Sequence, residues 1–108
     1  MKVLVVDDEA NLRRMLRVVL EEEGHSVVEA GSAEEGLRLL VEARPDAVLL
    51  DLALPGASGL EALPHFQDQL PGVSVIMMSG EATLSDAVAA TRQGAFHFLE
   101  KPLTPGAV

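Results

Sequence analysis

The chain has 108 residues, enough for one domain around one core. Hydrophobic residues supply 48% of it, which excludes a disordered tail, and aromatics only 3%, which makes the core aliphatic. The absence of cysteine excludes a disulfide scaffold and thiolate chemistry and is compatible with a reducing cytosol, while a formal net charge of −9 argues against gripping nucleic-acid phosphates and suits a divalent cation or a basic partner surface. No apolar run approaches the roughly 20 residues of a membrane span. Met1-Lys2-Val3-Leu4 runs straight into a strand, so no signal peptide is expected.

Val3-Leu4-Val5-Val6 reads as a first buried strand, with Asp7-Asp8-Glu9 directly behind it. Leu12, Met15, Leu16, Val19 and Leu20 then mark one face of a helix, with Arg13, Arg14 and Arg17 off that stripe. Arg17 and Glu21 are spaced for an i,i+4 pair in its less favourable order, and Gly24 is a C-terminal stop. Val27-Val28 forms a short second strand. Ser32 and Glu35 form a capping box ahead of Leu37, Leu40 and Val41, so a second helix is expected from near Ala33 up to Pro45.

Ala47-Val48-Leu49-Leu50 is an apolar run without alternation, the mark of a strand buried on both faces. Asp51 ends it. An unpaired charge is costly to bury, so Asp51 is expected at the strand's carboxyl end, where open α/β sheets bind ligands. Pro55, Gly56 and Gly59 shape the turn that follows. Ser58 and Glu61 repeat the capping-box spacing, and Leu60, Leu63 and Leu70 continue as a helical face. Pro64 is too deep for the first turn and should kink or delay this helix, which Pro71-Gly72 ends.

Val73 to Met78 reads as a fourth strand, with Ser79-Gly80 behind it. Thr83 and Asp86 cap an Ala-rich helix running to Gln93, weakly held by Leu84, Ala87 and Val88. Phe96-His97-Phe98-Leu99 is a fifth strand, followed by Glu100-Lys101-Pro102. Thr104-Pro105-Gly106 would open a last helix, which is largely missing. We therefore expect a single domain over 1–108 that is a fragment of a longer protein. Strands alternate with helices throughout, which implies a parallel sheet covered on both faces.

Asp7, Asp8, Asp51, Ser79 and Lys101 each fall just after an expected strand. In a parallel sheet those ends share one edge, so three carboxylates, a hydroxyl and an ammonium would converge. Like charges at about 4 Å cost on the order of 4 kcal/mol at an effective dielectric near 20. A hard divalent cation removes that cost, and Mg²⁺ takes a few carboxylate or carbonyl oxygens plus water and a phosphate oxygen. Lys101 and Ser79 would then suit a phosphoryl group whose charge must be neutralised in transfer. Singly, each residue has an ordinary reading: helix caps for Asp7 and Asp8, a turn former for Asp51, a turn hydroxyl for Ser79, a solvated charge for Lys101. The signal is their joint position. His25, His65 and His97 lack metal-ligand spacing and read as surface residues, and Met77-Met78 reads as strand core.

Taken together, Val5-Val6-Asp7-Asp8-Glu9, Asp51-Leu52-Ala53-Leu54-Pro55-Gly56 with Gly59, Met78-Ser79-Gly80, and Gly94-Ala95-Phe96 through Lys101-Pro102 resemble the receiver domain of two-component response regulators, over nearly the whole chain. The resemblance implies a flavodoxin-like doubly wound sheet of five parallel strands, order 2-1-3-4-5. It implies Asp51 as phosphoacceptor and Mg²⁺ held by Asp8, Asp51 and the carbonyl of Ala53, with Asp7 acting largely through water. Lys101 would hold one phosphate oxygen, and Ser79 another after phosphorylation. Phe98 takes the place of the switch aromatic, and a cis Lys101-Pro102 bond is expected.

The implied partners are a sensor histidine kinase as phosphodonor, the chain's own output domain, here most like that of a nitrogen-regulatory-type transcriptional regulator, and a phosphorylation-dependent homodimer. Neither nucleic acid nor membrane is expected to bind this domain directly, and its location would be cytoplasmic. Leu54 stands where Met is common, and Phe98 lacks the hydroxyl of Tyr. The resemblance also implies that the positions of Ala53 and Glu81 tune loss of the phosphate.

Three other readings compete. A haloacid-dehalogenase-type phosphatase would need a second Asp two residues after the nucleophile, where Ala53 stands. A nucleotide or flavin binder would need a Gly-rich phosphate loop, and neither G-x-x-x-x-G-K-[ST] nor G-x-G-x-x-G is present. A pseudo-receiver that only binds partners would not need the full acidic set and Lys101.

Overall fold

The structure is a computed structural model, and it describes residues 1–52, 54, 59–79 and 97–100. Their elements run β1 (Lys2–Val6), α1 (Ala10–Glu22), β2 (Ser26–Ala30), α2 (Ala33–Ala43), β3 (Ala47–Asp51), α3 (Gly59–Gln69), β4 (Ser74–Ser79) and β5 (His97–Glu100). The five strands form one parallel sheet in the order β2-β1-β3-β4-β5, as the resemblance implied. The Ala-rich helix expected up to Gln93, the Lys101-Pro102 bond and the last helix lie outside the described residues.

Two apolar layers explain the unbroken hydrophobic strands. Leu4 and Val6, Val48 and Leu50, and Val75 and Met77 face α2 and α3. Val3 and Val5, Leu49, and Met78 face α1, where Leu12, Leu16 and Leu20 close over them. Because side chains alternate along a strand and both faces are covered, the central positions of β1, β3 and β4 are apolar without a break. Met77 and Met78 are fully buried strand core.

α1 ends as Gly24 suggested. Gly24 takes φ +90° and its N–H donates to Glu21 O at 3.0 Å, while His25 N–H donates to Leu20 O at 3.0 Å. These two bonds are a Schellman closure, which needs a left-handed residue. Arg17 does not pair with Glu21. Its Nε stands 2.6 Å from Glu29 Oε2 on β2, an ion pair rather than an aligned hydrogen bond. His25 is half-buried, with Nδ1 3.0 Å from the amino terminus.

α2 starts where the capping box places it: Ser32 Oγ accepts from Glu35 N–H at 3.1 Å. The reciprocal bond is shifted by one residue, since Glu35 Oε1 accepts from Gly31 N–H at 2.9 Å. The buried face is Ala33, Gly36 and Leu40. Val41, expected on it, is 55% exposed. Gly36 decides the rotation, because a β-carbon there would lie 2.9 Å from Val6 and 3.1 Å from Phe66. The helix closes on Arg44 with φ +48°, and Pro45 follows.

α3 begins at Gly59 and continues through Pro64, so the proline does not delay it. Pro64 is exposed. Ala62, Leu63 and Phe66 form the buried face, with Leu70 packed beside it and Gly72 turning the chain at φ +91°. Ser58 lies outside the described residues.

Candidate functional site

The carboxyl ends of β1 and β3 lie side by side, since Val6 pairs with Leu50. Asp7 continues β1 by one residue: its N–H donates to Ala30 O at 3.1 Å, extending the ladder to β2. Its Oδ1 accepts from Glu9 N–H at 2.8 Å, an Asx turn that bends the chain into α1. Asp8, between them, is exposed. Asp51 is the last residue of β3 and pairs in register with Met78. Leu52 N–H donates to Met78 O at 2.8 Å and Gly59 N–H to Leu52 O at 2.7 Å, so the chain beyond Asp51 is tied to both β4 and the start of α3.

Gly59 is where that turn closes. A β-carbon there would fall on the carbonyl oxygen of Asp51. Only a residue without one lets α3 start against the acidic edge.

Asp7, Asp8 and Asp51 each offer a carboxylate oxygen, and these three oxygens all lie within 4.8 Å of one another. Asp7 is fully buried and Asp51 is 3% exposed. The expectation that Asp51 escapes burial is therefore corrected: it stands at the strand's end but beneath the surface. Like charges at this spacing repel by roughly 3–4 kcal/mol per pair at an effective dielectric near 20. A hard cation reverses that sign. Oxygens on one Mg²⁺ at about 2.1 Å lie roughly 3–4 Å apart, inside the 4.8 Å that bounds this cluster. The donor set is all oxygen, as such an ion prefers.

Ser79 is the last residue of β4 rather than the first beyond it. It follows Met78, the partner of Asp51, and pairs with Glu100 of β5. The backbone thus brings Ser79 to the same edge as the three aspartates. Phe98 lies within β5 opposite Met77. Lys101, Ala53 and Glu81 lie outside the described residues, as do the side chains of Ser79 and Phe98. Sequence reasoning missed Phe66 and Gly36, which set how α2 and α3 pack beneath this edge, and the contacts of Arg13 and Glu29 beside it. Arg13 Nη1 donates to Asp7 O at 2.6 Å, and Arg13 Nε stands 3.3 Å from Glu29 Oε1. The VDD motif and the arginine six residues after Asp7 were visible, but not the fact that they meet.

Known proteins place this architecture. The family model described as the response regulator receiver domain matches residues 3–108. The chain is 41% identical over 106 residues to the transcriptional regulatory protein GlrR of Escherichia coli (strain K12), covering 98% of this chain and 24% of that protein. It is 38% identical over 102 residues to the nitrogen assimilation regulatory protein NtrX of Azorhizobium caulinodans, covering 93% of this chain and 22% of that one. A solved response regulator protein from Burkholderia pseudomallei, with a phosphorylated aspartic acid, calcium ion and citrate, matches with a TM-score of 0.91 at 29% identity, over 98% of this chain and 62% of that one.

The chain belongs to the receiver domain family of response regulators, the signalling switches of two-component systems. It spans about a quarter of the length of GlrR and of NtrX. Among the described residues no helix is long and apolar enough to cross a membrane.

Proposed function

We propose that this chain is a working phosphoacceptor switch. Asp51 takes a phosphoryl group from a phosphohistidine of a sensor kinase: an Asp51 carboxylate oxygen forms the bond to phosphorus, the phosphorus–nitrogen bond breaks, and the imidazole nitrogen recovers its electron pair. The observation that carries this reading is the acidic cluster, three carboxylate oxygens within 4.8 Å at the ends of β1 and β3. Asp8 and Asp51, with the carbonyl of Ala53, are the residues that would hold Mg²⁺, and Asp7 would act through water. The ion would neutralise charge on the transferring phosphoryl oxygens. Lys101 binds one of those oxygens and Ser79 another once the phosphate is in place. Phe98 follows the Ser79 segment inward and changes the surface read by a partner.

The phosphate adds about −1.5 to −2 charges and three acceptor oxygens at one point. A near-complete switch needs roughly 5.5 kcal/mol of differential stabilisation, within reach of a few charge-assisted hydrogen bonds. On this reading residues 1–108 are one receiver domain of a longer cytoplasmic regulator. Its output is transcriptional, controlled through the attached domain and a phosphorylation-dependent homodimer. The name of GlrR, a transcriptional regulatory protein, supports that assignment.

The test is intact mass after incubation with acetyl phosphate. One phosphoryl adduct is expected on the wild type with Mg²⁺, and none without Mg²⁺ or on Asp51→Asn. Labelling of Asp51→Asn equal to wild type would sink the assignment. No adduct on a folded wild type would favour a partner-binding pseudo-receiver instead.

A further inference from the structure

The geometry points to Arg13 as a positioning residue for the metal-holding turn, with Glu29 as its anchor. This rests on reading the acidic cluster as a divalent-cation site and adds a role for two residues outside that cluster.

Asp8 is exposed and projects from a turn with little packing of its own, so its direction depends on the backbone. Three successive peptide groups of that turn are held. The N–H of Asp7 donates to Ala30 O at 3.1 Å. The carbonyl of Asp7, which shares a peptide plane with the N–H of Asp8, accepts from Arg13 Nη1 at 2.6 Å. The N–H of Glu9 donates to Asp7 Oδ1 at 2.8 Å. The middle bond is the only one of the three made by a side chain from another element, and it fixes the plane from which Asp8 departs.

Arg13 is itself held. It is 20% exposed, and its Nε lies 3.3 Å from Glu29 Oε1 on β2. Arg17 steadies the other oxygen of Glu29 at 2.6 Å and reaches Val27 O through Nη2 at 3.2 Å. A guanidinium is a rigid fork that can serve a carboxylate and a carbonyl at once; an ammonium is a single point. The arrangement links α1, β2 and the β1 exit, and it brings a positive charge to the backbone that carries Asp7 and Asp8. Groups that orient ligands from behind typically govern about 10–100-fold in metal affinity.

The experiment titrates Mn²⁺, a spectroscopic stand-in for Mg²⁺, into the 108-residue chain and follows free Mn²⁺ by electron paramagnetic resonance. Urea midpoints of the metal-free proteins are measured in parallel. Arg13→Ala is expected to weaken Mn²⁺ binding about tenfold or more. Arg13→Lys keeps the charge beside Glu29 and so the urea midpoint, but loses the fork; its Mn²⁺ affinity is expected to fall several-fold with stability near wild type. Glu29→Gln is expected to lie between Arg13→Lys and wild type. If Arg13→Lys, folded, binds Mn²⁺ within twofold of wild type, the positioning role is overturned, whatever Arg13→Ala does to folding. Asp8→Asn separates the two levels. Loss of binding there with no loss in the Arg13 variants leaves the cation site standing and removes Arg13 from it. A wild type that takes up no Mn²⁺ overturns the cation site and the positioning role together.

Discussion

At the scale of single residues the acidic edge is built as much by what is left out as by what is present. Gly59 carries no side chain because the Asp51 carbonyl occupies the space one would fill. Gly59→Ala must therefore push α3 away from β3 or move Asp51. A loss of about 1–3 kcal/mol is expected, as for other overpacked sites, read from the urea midpoint, together with a slower phosphoryl uptake. An unchanged midpoint would show that the turn relaxes freely. Asp7, Asp8 and Asp51 were legible in the sequence because carboxylates directly after apolar runs are conspicuous. Their burial was not, because the cost of burying a charge argues against it until the neighbouring carboxylates are known to form one site. Arg13 and Glu29 were unreadable for a different reason: they belong to separate elements, and only the packing of α1 on β2 makes them partners. Arg17 shows the same limit, since local spacing favoured Glu21 and the tertiary contact went to Glu29.

At the scale of elements, strands were easier to read than helix faces. A parallel strand buried on both sides needs a near-continuous apolar run, so β1, β3 and β4 announce themselves. α2 shows how a face is misread. Counting hydrophobes placed Val41 inside, but the buried row runs through Gly36, whose lack of a side chain lets the helix approach Val6 and Phe66. A glycine carries no hydrophobic signal, so periodicity passes over it. α3 is the element under most internal conflict. Pro64 removes a backbone donor and crowds the carbonyl four residues earlier, yet the helix runs through it on an exposed side. Pro64→Ala is expected to stabilise the domain by roughly 1–3 kcal/mol, since proline costs about 3 kcal/mol against alanine in a helix interior. A fall in the urea midpoint would mean that the ring makes a contact worth more than the missing hydrogen bond.

At the scale of the whole molecule, stability and metal binding are linked. The cluster that holds three like charges together is formed only in the folded chain, so a cation that binds it must raise stability by mass action. At ten times the dissociation constant the gain is about 1.4 kcal/mol. The urea midpoint is expected to climb with Mg²⁺ concentration in the wild type and to stay flat in Asp8→Asn. A wild-type midpoint indifferent to Mg²⁺ would contradict the cation site.

The strand order has one more consequence, in the time domain of synthesis. β1 is flanked by β2 and β3, and β4 joins only on the far side of β3. All three aspartates belong to the first 51 residues, whereas Met78, which receives the backbone of Asp51 and Leu52, is made later. A ribosome delivers residues at roughly 5–20 per second, so every carboxylate of the cluster leaves the exit tunnel a second or more before β4. The nascent chain carries its full set of charges with one neighbouring strand still to be made.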